Sequence, residues 1–306
     1  MEPKAKRERQ DLDDIHAKLL SLPAYKDWKK RVVEKEEEVP DLRKEMIPIL
    51  EEICEKQGLT LDLLKDELKF EWAGNGKFVR GTPVVEKELD YYLPLMAFEW
   101  SLYTSPVFKR CFLKKLVIGH ECYYDTQYRA ALPDYINFNM MYGTKHFDPM
   151  YPTEVIHHEV FHFFDWISNG NDYSKDPEWV ALNDPVDFKY GAGGTAYYEE
   201  IKTTGTKRLA DGVKGFLNYY STTGVEEDKA EIYKSLILFP EEMLNNTDPI
   251  IKKKAETLKA RLEKFVPDTF NAEFWESCKE RSKERTWIKN NTKPNSTRFY
   301  FRDATS

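Results

Sequence analysis

The chain has 306 residues, 41% of them hydrophobic and 14% aromatic, enough for one large domain with extensions or two small ones. Its 46 basic and 53 acidic residues leave a net charge of -7, which argues against general nucleic-acid binding, because phosphate recognition needs a basic footprint. No apolar run reaches the length of a membrane-spanning helix. The charged start "MEPKAKRERQDLDDIHAKLL" has no apolar signal region, so a cytoplasmic location is expected, with unconventional secretion as the other route.

Residues 1 to about 58 place apolar side chains at helical spacing (Leu12, Ile15, Leu19, then Met46, Ile47, Leu50, Ile53), with Pro40 as a break. "LKFEWAGNGKFVRGTPVV" alternates around "GNG" and predicts a short hairpin over 68–85. Residues 85–106 read as helix despite Pro94, and 114–124 and 134–143 as strands. "PTEVIHHEVFHFFDWI" predicts a helix with Thr153 as N-cap and a stripe of Ile156, Val160, Phe163, Phe164 and Ile167. Residues 168–215 are rich in Asn, Gly, Asp and Pro and read as a long loop region, while 226–239 and 250–265 return to helix. The tail from 266 reads as a docking arm or a disordered segment, and the sequons at Asn290 and Asn295 as chance matches. The implied division is a helical segment (1–60), a catalytic domain (61–265) and a C-terminal extension (266–306). Cys54, Cys111, Cys122 and Cys278 are widely spaced without a CxxC pair, which predicts reduced thiols rather than a disulfide framework or a cysteine zinc site.

His158-Glu159-Val160-Phe161-His162 has the pattern HExxH. Residues i and i+4 project from one helix face, so the two imidazoles can bind one zinc ion, and Glu159 can reach a water at that metal as general base. His157 points about 100° away and reads as a packed histidine. A third ligand is needed. The position six residues after His162 is Ser168, not histidine. Asp165 reads either as a carboxylate orienting a ligand histidine or as a surface acid. In "NYYSTTGVEEDKAEIYKSL", Glu227 could complete a His-His-Glu site and Glu231, one turn on, could support it by hydrogen bonding a ligand histidine. Tyr220 could donate to a developing oxyanion. The same acids would also suit a solvated helix start favoured by the macrodipole.

HExxH followed by Tyr-x6-Glu-x2-Ala-Glu resembles the gluzincin-type site of anthrax lethal factor and the Pro-Pro endopeptidases. "HHEVFHFFD", "DPEWVALNDPVDFKYGAGG" and "GFLNYYSTTGVEEDKAE" look like a widespread bacterial family of zinc-binding metallopeptidases, over roughly residues 85–240. Lys229 departs from that pattern, standing where an aromatic residue is common. The resemblance implies an α+β, zincin-like fold, mostly helical with a small mixed or antiparallel sheet and an edge strand near 134–142 above the zinc helix. It implies zinc on His158, His162 and Glu227, Glu159 as base, and Tyr220, or its neighbour Tyr219, at the oxyanion. The implied activity is hydrolysis of peptide or protein substrates; the alternative is a catalytically inactive zincin-fold interaction module. "FKYGAGG" lacks the GK[ST] of a phosphate loop and reads as a loop near the cleft, with Trp179 and Tyr190 either lining a substrate cleft or, the favoured reading, anchoring the loop.

Overall fold

The computed structural model describes residues 4–34, 41–145, 150–183, 189–191, 193 and 213–285. Three helices open the chain: α1 (Lys4–Ser21), α2 (Pro23–Glu34) and α3 (Arg43–Gln57). The spaced apolar residues face inward, with Leu12, Leu19, Met46, Leu50 and Ile53 all fully buried. Pro40 lies outside the described residues. Gly58, at φ 74°, ends α3 in the left-handed conformation that only glycine adopts without strain, and its N–H closes on Cys54 and Glu55.

The expected hairpin is present as β2 (Leu68–Glu71) paired antiparallel with β3 (Phe78–Gly81), after a short β1 (Thr60–Leu63). Helix α4 (Glu86–Trp100) is buried from Tyr92 to Trp100 and runs through the core, followed by α5 (Ser105–Arg110). The apolar run at 114–124 divides into β4 (Lys115–Gly119) and β5 (Cys122–Tyr124), which belong to different sheets. β6 (Gln127–Arg129), β7 (Ala131–Asp134) and β8 (Asn139–Gly143) follow.

One sheet has the order β1-β4-β8-β7 and the other β2-β3-β5-β6. β1, β4 and β8 are parallel; β7 is antiparallel to β8 and forms the sheet edge. The first sheet is therefore mixed, and the second is antiparallel throughout. The β7 edge is 131–134, and of the stretch expected to be the edge, 134–142, residues 139–142 belong to β8 inside the sheet. Asp134 explains the difference: it accepts from the N–H groups of Ile136 and Asn137 and from the amides of Asn137 and Asn139, turning the chain where the apolar pattern suggested continuation.

Alternation along β4 and β8 makes the layers. Leu116, Ile118, Met140 and Tyr142 join the helical core, while Val117 and Met141 face Val79 and Cys122 of the second sheet. Below the mixed sheet lies α6 (Met150–Asn169). It starts before Thr153, which is a buried helix residue and not the N-cap. Then come α7 (Pro177–Ala181), a 3-10 turn (Tyr220–Thr222), α8 (Val225–Leu238), α9 (Pro240–Leu244), α10 (Pro249–Phe265) and α11 (Ala272–Glu284). Helix α11 buries Phe274 and Cys278, so the tail is integral to the core up to Arg285; Asn290 and Asn295 lie outside the described residues. The result is a mixed α+β fold, mostly helical with small sheets. Cys54, Cys111, Cys122 and Cys278 are buried free thiols. Among the described residues no helix is long and apolar enough to cross a membrane.

Candidate metal centre

Helix α6 presents His158 and His162 on one face, and α8 packs along it to bring Glu227 opposite. His158 Nε2 is 3.0 Å from Glu227 Oε2 and 3.1 Å from His162 Nε2, and His162 Nε2 is 3.5 Å from Glu227 Oε2. All three side chains are buried. A tetrahedral zinc site with ordinary bond lengths separates its ligand atoms by about 3.3 Å. Two Nε2 atoms at 3.1 Å present lone pairs to each other unless a proton or a cation lies between them. The donor set therefore fits a divalent metal ion, and His158, His162 and Glu227 could hold one.

Electrostatics support that fit. Burial works to lower the pKa of His158, but the carboxylates of Glu227 and Glu231 overcome it and raise it to about 10. His162 is raised in the same way against its burial, mainly by Glu227. Burial would push Glu227 up, yet hydrogen bonds to the two histidines hold it well below the carboxylate range. The cluster thus has a strong demand for positive charge, which a metal ion can meet in place of protons.

Glu231 lies one turn beyond Glu227. Its Oε1 is 3.0 Å from His158 Nδ1 and 2.6 Å from Lys234 Nζ, and its Oε2 accepts from Asn218. A hydrogen bond from Nδ1 makes Nε2 of His158 the nitrogen that could ligate a metal ion. Asn218 was not singled out in the sequence. Its Oδ1 accepts from the Ser221 N–H (2.9 Å) and hydroxyl (3.1 Å), so one amide joins the Tyr220 turn to the His158 support. The Asn-x-x-Ser spacing ahead of a turn is the signal that could have marked it.

Glu159 is partly buried at the floor of a 390 Å³ cleft, and that burial raises its pKa. Tyr220 lines the same cleft with its ring 5.8 Å from that of His158, whereas Tyr219 is not among the lining residues. The cleft is bordered by Ala131, Leu132 and Pro133 of the edge strand and walled by Trp72, Tyr124 and Tyr135.

Asp165 is not a surface acid: it is 2% exposed. Nor does it hydrogen-bond a histidine; it accepts from Lys229 at 2.7 Å and from Asn169 at 2.7 Å. Lys229 also donates to the Tyr173 carbonyl and to Asp176, which accounts for a buried lysine at that position. His157 is a packed histidine on the far side of α6. Tyr233 donates to Tyr103, Tyr103 to His157 Nδ1 (2.6 Å), and His157 Nε2 to Glu99 (2.9 Å), which also takes two bonds from Arg285. Trp179 and Tyr190 act as anchors, both donating to Asp228 Oδ2 beside Glu227. Of the glycine-rich loop, Gly191 and Gly193 are described; they pair with the carbonyls of Thr222 and Thr223 next to the cleft. Gly193 has φ 88°, and a Cβ there would meet Glu226 Oε1 at 2.9 Å.

No protein-family model and no curated protein matches this chain. Among solved structures it is similar to a "putative zinc-binding metallo-peptidase" from Bacteroides caccae ATCC 43185, with 14% identity over 83% of this chain and 98% of that one and a TM-score of 0.43.

Proposed function

We propose that the chain is a zinc-dependent peptidase with a gluzincin-type site: the HExxH helix lies under a mixed sheet, zincin-like, and an antiparallel edge strand borders the cleft. The observation that carries this reading is the convergence of His158, His162 and Glu227 ligand atoms within 3.0–3.5 Å, beside Glu159 in an open cleft. When bound there, zinc supplies a Lewis acid that makes a water acidic and polarises a carbonyl. The chain's own groups do the rest. The β7 edge offers backbone groups to an extended peptide. Glu159, its carboxyl raised by burial, accepts the proton of the attacking water and delivers it to the leaving amine. Tyr220 donates to the carbonyl oxygen as negative charge grows on it. Glu231 holds His158 in the tautomer that ligates.

The test is zinc per chain by elemental mass spectrometry, together with turnover of a degenerate peptide mixture. Wild type and Glu159→Gln should each carry about one zinc, Glu227→Ala much less, and Glu159→Gln should lose turnover. Full activity of Glu159→Gln would falsify the base assignment. Zinc content unaffected by Glu227→Ala would move the third ligand elsewhere. Absence of zinc after reconstitution would favour the interaction module.

A further inference from the structure

Arg129 is the last residue of β6, and two residues later the chain enters the edge strand β7. It lines the same cleft as Glu159 and His162 and is the single lysine or arginine among the described lining residues, whose other charged side chains are the carboxylates of Glu159, Glu226 and Glu227. Trp72, one residue past β2, and Tyr124 of β5 stand in the same wall. Trp72 meets Tyr124 edge-on at 5.9 Å and Tyr135 at 6.0 Å. One guanidinium nitrogen donates to Gln127 Oε1 at 2.8 Å, two residues back on the same strand face. A guanidinium has five N–H donors in a fixed plane, and a carboxylate is the acceptor that matches that plane. A peptide pairing with β7 would carry its side chains past Arg129 at the Ala131 end of the strand.

We propose that Arg129 forms a carboxylate-binding subsite in the wall of the cleft, so that preferred substrates are peptides with a carboxylate close to the scissile bond. This rests on the peptidase reading of the cleft. The carboxylate can come from an acidic side chain or from a free C-terminus. The rival role for Arg129 is a counter-charge for Glu159, whose ionised form it favours. A test in Glu159→Gln removes that role and leaves only substrate recognition.

The experiment uses the full chain with Glu159→Gln, zinc-loaded, with metal content measured first. It is immobilised and offered a degenerate mixture of acetylated, C-terminally amidated dodecapeptides, and captured peptides are sequenced. The expected result is enrichment of Asp and Glu over Asn and Gln at one position by about tenfold, the scale of a charge-assisted hydrogen bond. Adding Arg129→Gln should flatten that position, Arg129→Lys should retain part of it, and Arg129→Glu should exchange it for Lys and Arg. A second mixture, uncharged and with free C-termini, separates the two sources: capture of peptides by their ends marks terminal-carboxylate recognition. Equal capture of acidic and amide residues in both mixtures, or a preference that survives Arg129→Gln, would overturn the subsite while leaving a peptide cleft. No enrichment at any position in zinc-loaded protein would overturn both the subsite and the peptide reading.

Discussion

Glu231 is shared by three donors, His158, Lys234 and Asn218. Glutamine in its place keeps the volume but removes the charge that orients His158. Glu231→Gln should weaken zinc binding by roughly 10–100-fold, read by chelator competition; unchanged affinity would mean that His158 is oriented without it. A second residue-scale effect lies far from the cleft. His16 of α1 packs against Phe98 with ring centroids 4.8 Å apart. Burial, with Arg281 adding to it, lowers its pKa from 6.5 to about 2. Between those values the unfolded chain binds a proton that the folded chain does not. Stability from this group is therefore complete above about pH 6.5 and falls as the pH drops through the window below it. His16→Gln should lose less Tm than wild type between pH 7 and pH 5. Identical profiles for the two proteins would place that acid sensitivity on other groups.

At the scale of elements, α8 does two jobs with adjacent residues. Glu227 faces His158 and His162, and Asp228 is fully buried on the other side, taking Trp179 at 2.8 Å, Tyr190 at 2.7 Å and Lys254 at 2.7 Å on one oxygen. This ties the loop after α7 and helix α10 to the helix that carries Glu227. Asp228→Ala leaves Lys254 buried without its counter-charge and should cost about 3–5 kcal/mol in urea denaturation. Adding Lys254→Met should recover part of that cost. A single-variant loss below about 1 kcal/mol, the scale of one ordinary hydrogen bond, would show that the anchor is not structural.

Over the whole molecule, helix α6 is gripped from behind by residues almost two hundred positions apart. Arg285 binds Glu99 through two nitrogens, at 2.8 and 2.5 Å, and Glu99 in turn accepts from His157, next to His158. Burial works to raise the Glu99 carboxyl, but Arg285 and His157 hold it well below the usual range. Arg285→Ala would strand a buried carboxylate and should cost about 3–5 kcal/mol, with zinc affinity falling in parallel. The pair Glu99→Gln with Arg285→Met should be more stable than Arg285→Ala alone. If Arg285→Ala melts like wild type, the grip from the C-terminal helix is dispensable.

Features that depend on short spacings are legible in the chain alone. HExxH places two imidazoles on one face because four residues make about one turn, and the Glu227 and Glu231 pair repeats that logic on a second helix. The amphipathic helices and the GNG hairpin are legible for the same reason: their periods report burial directly. Packing between elements sets which distant groups meet. It gave Asp165 to Lys229, not to a histidine, because α8 brings that ammonium within 2.7 Å. It divided the run at 114–124 between two sheets and made 131–134 the edge, since Asp134 turns a chain whose apolar pattern continues through it. It also placed Arg129, Trp72 and Tyr124 around the cleft. Strand pairing and side-chain electrostatics act between segments far apart in the chain, and no local period encodes them.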